Sequence, residues 1–292
     1  MTGKIIKGIG GFYYVHVPSE GVFECRARGI LRKEKIRPLI GDNVEMAVLD
    51  AKEKLGSVDK ILPRVNSLVR PTVANIDQAV IVFAVTQPEP NYNLLDKFLV
   101  MIEANEIEGI ICFNKIDILD ADKVKLIIEK YENTGYQVVT TSSLEGHGIA
   151  NLKESLYGKT TVFAGPSGVG KSSILNLIQD EMVLETGIVS AKIGRGKHTT
   201  RHAELICFHD NSYVVDTPGF SSLSINDLDP KQIKYCFIEF ATYEPYCKYN
   251  GCNHLHEPKC GVKEAVANGE ISESRYLSYT QLMEELNDLK KW

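Results

Sequence analysis

Residues Gly165–Ser172 read Gly-Pro-Ser-Gly-Val-Gly-Lys-Ser, and this stretch decides the fold class of the chain. The apolar run Thr160–Ala164 before it is typical of a buried strand, and Ser172–Ile178 has the pattern of an opening helix. A glycine-rich turn from a strand into a helix presents backbone N–H groups, and the positive end of the helix dipole, to phosphate oxygens. The stretch therefore predicts a phosphate-binding loop in an α/β domain, with an accidental glycine-rich turn as the alternative.

The predicted loop assigns chemical roles to its polar side chains. The Lys171 ammonium can reach the β and γ oxygens of a nucleoside triphosphate, which makes it a candidate catalytic residue, and the Ser172 hydroxyl can bind Mg²⁺. The residues expected to contact the nucleotide are Gly165, Pro166, Ser167, Gly168, Val169, Gly170, Lys171, Ser172 and Ser173.

A second motif, Asn114-Lys115-Ile116-Asp117, follows the apolar run Gly109–Phe113. At the end of a strand, the Asp117 carboxylate can accept hydrogen bonds from N1–H and the exocyclic amine of guanine, groups that adenine lacks. Adenine would leave this carboxylate unpaired, so such a site discriminates strongly between the two bases. Asn114, Lys115 and Asp117 are therefore predicted to select GTP and GDP, with a plain strand-ending turn as the alternative.

A loop of small residues, Thr141–Ser143, follows the apolar run Tyr136–Thr140. It lies one predicted helix and one predicted strand after the Asn114 motif, where a GTPase has a loop beside the base. The backbone N–H groups of Ser142 and Ser143 are therefore candidates to contact guanine.

A third motif, Asp216-Thr217-Pro218-Gly219, follows the short predicted strand Tyr213–Val215. Asp216 is placed to hold Mg²⁺ through a water molecule, and the Gly219 amide can contact a γ-phosphate. A simple Pro-Gly turn is the alternative.

The order of the three motifs is unusual. The guanine motif at Asn114–Asp117 comes first, the phosphate loop second and Asp216–Gly219 last. Ordinary GTPases begin with the phosphate loop, continue with the Asp-x-x-Gly turn and end with the guanine motif. The chain is therefore predicted to be a circular permutation of the GTPase arrangement.

Residues 194–202, Gly-Arg-Gly-Lys-His-Thr-Thr-Arg-His, lie between the phosphate-loop helix and the strands leading to Asp216. This is the place of a mobile switch loop in a GTPase. Thr199 or Thr200 is the candidate to bind Mg²⁺ and contact the γ-phosphate, and the sequence does not choose between them.

Phe220, not a water-orienting glutamine, follows Gly219. Intrinsic hydrolysis is therefore expected to be slow or to be organised differently. His198 is the candidate to position the attacking water, and a solvated histidine in a basic loop is the alternative.

A cluster of metal-binding residue types lies near the C-terminus, with the spacing Cys247-x4-Cys252-x-His254-x5-Cys260. Three thiolates and one imidazole suit a tetrahedral Zn²⁺ ion without an open position, which indicates a structural role. His256 competes with His254 as the nitrogen ligand, and scattered free cysteines are the alternative to a zinc site.

The remaining cysteines, Cys25, Cys112, Cys207 and Cys236, are isolated in the sequence and are typical of core residues in a reducing compartment. No apolar run approaches the roughly 20 residues needed to span a bilayer, and the N-terminus lacks a signal-peptide core. A soluble, cytoplasmic protein with no membrane partner is expected. Its 292 residues, 43% of them hydrophobic, suffice for about two to three domains.

The first 70 residues differ from the rest in pattern and in charge. They contain 13 Lys or Arg and 8 Asp or Glu, whereas the whole chain has a formal net charge of −5. The predicted short strands, typical of a small β-barrel, are Phe12–Val17, Val22–Ala27, Asn43–Leu49 and Ser57–Ile61. The basic run Arg26–Arg37, with Phe12 to Tyr14 nearby, indicates an RNA-binding module, with a solvated charged loop as the alternative.

The permuted motif order, the N-terminal barrel and the cysteine-rich tail together closely resemble the RsgA family of ribosome small subunit-dependent GTPases. The resemblance covers essentially the whole chain and implies a multidomain α/β protein. The implied domains are an oligonucleotide-binding (OB-like) β-barrel at residues 1–70, a circularly permuted P-loop GTPase domain at 71–222 and a zinc-binding helical domain at 223–292.

The resemblance also implies a function. Family members act in late maturation of the bacterial small (30S) ribosomal subunit, with 16S rRNA as a partner and with hydrolysis stimulated by the subunit. The implied cofactors are GTP or GDP, Mg²⁺ and one Zn²⁺ per chain, and a monomer is expected. Gly196–Thr200 matches the switch loop of the family, in which a histidine resembling His198 has been proposed to assist catalysis.

Three other functions remain open at the level of sequence. An RNA-binding scaffold could hold GTP without turnover, a P-loop kinase could phosphorylate a small molecule, and an ATPase could use the same phosphate loop. The sequence contains no recognisable acceptor-site lid of a kinase.

Overall fold

The computed structural model describes residues 1–29, 31, 37–69, 72–186, 204–216 and 228–289, with the backbone alone at 69, 180–186, 216 and 289. The chain divides into two compact units. The first comprises Met1–Gln78, Ala150–Phe163 and Leu175–Ser222, and the second comprises Ala79–Ile149, Ala164–Ile174 and Leu223–Trp292. Within the described part of the chain, no helix has both the length and the apolar character needed to cross a lipid bilayer.

The first unit contains a closed five-stranded barrel with the strand order β1-β2-β3-β5-β4. Its strands are β1 (Thr2–Ile9), β2 (Phe12–Val17), β3 (Gly21–Ala27), β4 (Asn43–Asp50) and β5 (Leu55–Ile61). Apolar side chains that alternate along these strands fill the interior, among them Ile5, Val15, Phe23 and Val44. This confirms the predicted N-terminal β-barrel.

Strand β1 is the strand of the barrel that the sequence pattern did not predict. It pairs antiparallel with β2 and with β4 and so closes the barrel. Its sequence, TGKIIKGI, contains two lysines and two glycines and lacks a clear alternation of apolar residues. Two short antiparallel strands, β6 (Ser67–Val69) and β7 (Thr72–Ala74), follow the barrel along the chain.

Three further strands belong mainly to the first unit: β11 (Thr160–Ala164), β12 (Glu204–His209) and β13 (Ser212–Asp216). Strand β13 pairs in parallel with β11 and antiparallel with β12. The predicted strands at Thr160–Ala164 and Tyr213–Val215 are therefore confirmed, the second with one added residue at each end.

The second unit contains β8 (Gln78–Ala84), β9 (Glu108–Asn114) and β10 (Gln137–Thr141), in the order β10-β9-β8. Strands β9 and β10 run in parallel, and β8 is buried along its whole length. Such continuous burial explains why this strand reads as an uninterrupted apolar run. Because β9 and β10 are parallel, the loops after Asn114 and Thr141 leave the sheet at the same edge.

The α-helices of the described residues, numbered along the chain, are α1 (Tyr92–Glu103), α2 (Ala121–Glu132), α3 (Ile149–Ser155), α4 (Lys171–Thr186), α5 (Pro230–Ile233), α6 (Gly261–Ala267) and α7 (Glu273–Leu289). The side chain of Asn91 caps α1 by accepting a hydrogen bond from the Leu94 amide at 3.0 Å. Helix α4 confirms the predicted helix after the glycine-rich turn, and it begins at Lys171, one residue before the predicted start at Ser172.

Residues 228–289 form a small helical region in the second unit. Its core includes Phe237, Phe240 and Tyr279, and it is continuous with Val100 and Met101 of helix α1. The predicted C-terminal helical region is thereby confirmed, and its core also contains two of the cysteines from the predicted metal cluster.

Candidate functional site

Two glycines of the loop after β11 approach neighbouring atoms too closely to carry a side chain. Gly165 has φ +133°, and a Cβ atom there would lie 2.1 Å from the Val82 carbonyl oxygen. Gly170 has φ +99°, and a Cβ atom there would lie 2.2 Å from Nδ2 of Asn114. Both positions therefore require glycine, and the predicted phosphate loop is built against strand β8 and the guanine motif.

Lys171 begins helix α4 and its side chain extends back over the loop. Its ammonium donates hydrogen bonds to the carbonyl oxygens of Gly165, at 2.8 Å, and Pro166, at 2.5 Å. Burial lowers the pKa of Lys171 from its ordinary value. The hydroxyl-bearing residues Ser172 and Ser173 on the first turn of the helix are exposed, so they are accessible to a nucleotide and its metal ion.

Asn114 joins the predicted base motif to the predicted phosphate loop. The side chain is fully buried, and Nδ2 donates to the Val169 carbonyl at 2.8 Å and to Ser143 Oγ at 3.2 Å. Its Oδ1 accepts from Thr141 Oγ1 at 3.0 Å and from the Ser143 amide at 3.1 Å. All four hydrogen-bonding positions of this amide are thus used within the protein, and it holds three loops together.

Asp117 is an exposed carboxylate that is oriented by a buried hydroxyl. Ser142 Oγ donates to Asp117 Oδ1 at 2.5 Å and accepts from the Glu145 amide at 3.1 Å. Ser142 itself is fully buried, and its amide donates to the His147 carbonyl at 3.0 Å. The hydroxyl of Ser142 therefore fixes Asp117, while the amides of Ser142 and Ser143 are engaged within the protein.

Lys115 has a left-handed backbone conformation with φ +65°, and its ammonium donates to the Gln87 carbonyl. Gln87 lies in the loop between β8 and α1, and a Cβ atom on Gly168 would lie 3.9 Å from Cδ of the next residue, Pro88. Sequence reasoning missed this loop as part of the site. Its signal was present in the proline-rich sequence Gln87–Pro90, which directly follows a buried strand.

Several predicted site residues lie outside the described residues. These are His198, Thr199, Thr200, Gly219 and Phe220, together with the side chain of Asp216. The backbone of Asp216 ends β13, where it pairs with Glu204 at the start of β12. In the basic run of the barrel, residue 30 and residues 32–36 also lie outside the described part.

The structure brings together the four predicted metal ligands Cys247, Cys252, His254 and Cys260, whose ligand atoms all lie within 4.8 Å of one another. The Sγ atoms of Cys247 and Cys260 are 3.8 Å apart, and Nδ1 of His254 lies 3.5 Å and 3.3 Å from them. A tetrahedral zinc site, with Zn–S bonds of about 2.3 Å and a Zn–N bond of about 2.0 Å, requires about 3.8 Å between two sulfurs and about 3.5 Å between a sulfur and the nitrogen. The cluster is therefore compatible with one Zn²⁺ ion.

The structure selects His254 over His256 as the nitrogen ligand. His254 is fully buried and packs edge-on against Phe240, with ring centroids 5.7 Å apart, whereas His256 is exposed. Burial lowers the pKa of His254 and so favours the neutral imidazole that a metal ligand requires. Burial also raises the pKa of the Cys252 thiol to about 12, so a cation is needed to hold it as a thiolate.

The other four cysteines are free thiols. Cys25, Cys112 and Cys236 are buried and Cys207 is half-buried, and none of the seven cysteines of the chain forms a disulfide. This agrees with their interpretation as core residues.

Family models match two parts of the chain. Residues 61–226 match the model described as RsgA GTPase, and residues 2–55 match the RsgA N-terminal domain. Two similar relatives are called small ribosomal subunit biogenesis GTPase RsgA. The one from Agathobacter rectalis is 50% identical over 302 residues and covers 100% of both chains, and the one from Alkaliphilus metalliredigens is 50% identical over 99% of both.

Solved structures agree with the family models. The crystal structure of YloQ, a circularly permuted GTPase, shares 43% identity with a TM-score of 0.83 over 98% of this chain and 95% of that one. YjeQ from Thermotoga maritima shares 40% identity with a TM-score of 0.84 over 98% of both chains. The permuted motif order therefore corresponds to a known arrangement of the GTPase fold.

Proposed function

Because this chain belongs to the RsgA family of GTPases, we propose that it is a GTP-hydrolysing factor for late maturation of the small ribosomal subunit. The subunit stimulates hydrolysis in this proposal, and GDP and phosphate are the products. The observation that carries the nucleotide assignment is the 2.8 Å hydrogen bond from Asn114 to the Val169 carbonyl. It ties the base-reading motif to the phosphate loop, so two directly connected segments would bind the two ends of one nucleotide.

Guanine selection is assigned to the exposed carboxylate of Asp117. Ser142 orients one of its oxygens, and the carboxylate then accepts from N1–H and the exocyclic amine of the base. Lys115 follows Asn114 in the same motif and is assigned to the base as well, and the phosphates are assigned to Gly165–Ser173. The helix N-terminus and the converging backbone N–H groups stabilise their negative charge.

Three side chains are assigned to magnesium: those of Ser172, Asp216 and either Thr199 or Thr200. The exposure of Ser172 at the start of α4 supports this assignment, because its hydroxyl is accessible beside the phosphate loop. When bound, Mg²⁺ neutralises charge on the β and γ oxygens. The Gly219 amide is assigned to the γ-phosphate.

Hydrolysis requires a group that stabilises the transferred phosphoryl group and a group that positions water. Lys171 is assigned the first role, because its ammonium already extends along the phosphate loop. His198 is assigned the second role, since Phe220 stands where many GTPases have a polar residue. Slow intrinsic turnover follows from these assignments, and the subunit would stimulate the step in which His198 takes part.

Zinc is proposed as a structural ion, one per chain, bound by Cys247, Cys252, His254 and Cys260. The complete set of three sulfurs and one nitrogen supports this role, because it fills a tetrahedral shell and leaves no position for substrate. Two of these cysteines lie in the same core as helix α1. The ion would therefore stabilise a region that packs directly on the GTPase helices.

The barrel is proposed to bind 16S rRNA. The guanidinium of exposed Arg26 lies over the Phe12 ring at 4.6 Å, so a cation and an aromatic face are presented together. Phosphate contacts and base stacking use these two groups. Docking should therefore weaken as the salt concentration rises, because phosphate contacts release counterions.

Three domains are proposed along the chain: residues 1–70 as the RNA-binding barrel, 71–222 as the permuted GTPase and 223–292 as the zinc-binding region. A monomer in the cytoplasm, without a membrane partner, is the form in which we expect this protein to work.

A GTPase assay with purified ribosomal subunits tests the proposal. We expect multiple-turnover phosphate release from GTP, low for the free protein and raised by small subunits but not by large ones. A scaffold would bind GTP without turnover, an ATPase would prefer ATP in competition, and a kinase would transfer phosphate to an acceptor other than water. Any of these three results would contradict the proposal.

A further inference from the structure

Two neighbouring residues of the barrel contact a row of residues that crosses strands β11, β13 and β12. Strands β11 and β13 lead into GTPase motifs. Lys4 and His16 are direct partners across β1 and β2, while Tyr213 on β13 pairs with Thr160 on β11 and with Cys207 on β12. The Lys4 ammonium donates to Thr160 Oγ1 at 3.0 Å, and His16 Nδ1 lies 2.9 Å from the Tyr213 hydroxyl. Lys4 and His16 thus connect the barrel to β11, which leads into the phosphate loop, and to β13, which ends at Asp216.

Three of the four side chains in these contacts are buried. His16, Thr160 and Tyr213 are 8%, 1% and 2% exposed, and the His16 and Tyr213 rings meet edge-on with centroids 5.6 Å apart. The Lys4 ammonium also lies 5.5 Å from the centre of the Tyr213 ring. Buried and satisfied polar contacts of this kind hold one geometry and cannot slide freely.

A second contact joins β1 to the start of β12. Lys7 of β1 donates to both carboxylate oxygens of Glu204, at 2.9 Å and 3.0 Å. Glu204 is the first residue of β12, and its backbone partner in the antiparallel ladder is Asp216. In the sequence, Glu204 also directly follows the segment that contains His198, Thr199 and Thr200. Lys7 is therefore linked to the residue that pairs with the candidate magnesium ligand.

We propose that Lys7 and Glu204 are positioning residues for GTP hydrolysis. When RNA docks on the barrel, this pair holds the start of β12 and the end of β13 in the geometry that turnover requires. This inference rests on the proposed function and names the route by which docking stimulates the reaction. The buried Lys4–His16 junction anchors the barrel on the strands, and the Lys7–Glu204 pair sets the position of Glu204 opposite Asp216.

The ion pair is suited to positioning and contributes little to folding. Its two side chains are 28% and 23% exposed, and such partly solvated pairs contribute little to global stability. A change at Glu204 should therefore leave the fold intact. Its effect is expected in the rate of the stimulated reaction, because that is the step that depends on the position of Asp216.

The test compares Glu204→Gln, Lys7→Gln and the charge swap Lys7→Glu with Glu204→Lys in the full-length protein. GTP affinity, binding to purified small subunits and turnover at saturating subunit are measured for each. Glu285→Gln is the matched control, because Glu285 forms a similar ion pair with Lys97 at 2.8 Å in the other unit. Thermal unfolding of every variant accompanies the kinetics.

We expect the single variants to lose about fivefold to tenfold in stimulated turnover, in the range of ordinary coupling between sites. GTP affinity, subunit binding and melting temperature should stay near the parent values, and the charge swap should recover most of the turnover. Glu285→Gln should behave as the parent.

Two results would overturn this inference and leave the proposed function standing. In the first, small subunits stimulate the parent and the Glu204→Gln variant equally. In the second, the variants lose subunit binding and turnover in the same proportion. The second result would mean that the pair only shapes the barrel surface. A parent that small subunits do not stimulate would overturn the proposed function, and this inference with it.

Discussion

The guanidinium of Arg275 on helix α7 donates to Asp96 Oδ1 on helix α1 at 2.7 Å, and neither side chain is accessible to solvent. The same guanidinium donates to both carboxylate oxygens of Glu239, at 2.8 Å and 3.0 Å. It also lies over the Phe237 ring at 4.5 Å. Helix α7 is therefore bound to helix α1 through the buried guanidinium of Arg275.

Replacing Arg275 with Met should destabilise the protein strongly. Asp96 and Glu239 would remain buried without their cation, and breaking such a buried pair costs about 3–5 kcal/mol. Equilibrium unfolding in urea measures the change. Lys97→Met is the control, because the Lys97–Glu285 pair is partly exposed and should contribute about 1 kcal/mol or less. Equal losses for the two variants would contradict this account.

Replacing Asp117 with Asn should weaken GTP binding and relax base selection. The variant loses the carboxylate that accepts from guanine, and hydrogen bonds to a charged group contribute about 1.5–3 kcal/mol each, so affinity should fall at least tenfold. Competition between GTP and ATP measures both effects. Ser142→Ala removes only the orienting hydroxyl and should have a smaller effect of the same kind. Unchanged affinity and selectivity in Asp117→Asn would refute the assignment.

Metal analysis should find one tightly held zinc ion per chain. Cys260→Ser should lose the ion and unfold the C-terminal region while GTP binding is mostly retained, and zinc affinity should fall at low pH because the ligands must release protons. Cys236→Ser is the control, since Cys236 is buried in the same core but is not a member of the metal cluster. Protein that keeps no zinc after a mild chelator wash would exclude the site.

Replacing His198 with Ala should reduce turnover at saturating small subunit much more than it reduces GTP affinity. A residue that positions water acts mainly in the transition state, so kcat should fall while binding is unchanged. The comparison is made at saturating subunit so that docking does not limit the rate. If the variant matches the parent there, His198 is only a basic contact.

Stability should decrease as the pH falls below about 6.5 because of His16. Burial lowers the pKa of this histidine below its ordinary value of 6.5, an effect that Asp210 partly opposes. The folded protein therefore binds fewer protons than the unfolded chain, and the stabilisation present above pH 6.5 is lost as the pH falls toward the folded pKa. Urea unfolding between pH 5 and 8 should show this slope, and His16→Gln should flatten it. An identical slope in the variant would assign the effect to other groups.

The local motifs were predictable from the sequence because each depends on neighbouring residues. The run Thr160–Ala164 consists of β-branched, aromatic and small residues typical of a strand, so the strand before the phosphate loop could be placed to the residue. The order of Asn114–Asp117, Gly165–Ser172 and Asp216–Gly219 is itself a property of the sequence, and it was sufficient to predict the permuted GTPase fold.

Contacts between distant residues were decided only by tertiary structure. Strand β1 carries a weak pattern of its own, and its pairing with β2 and β4 makes it the closing strand of the barrel. His254 and His256 have almost the same sequence surroundings, and only the folded loop buries the first and exposes the second. Side-chain hydrogen bonds that span 55 residues, as between Asn114 and Val169, have no local signature, because the chain must fold before the two groups meet.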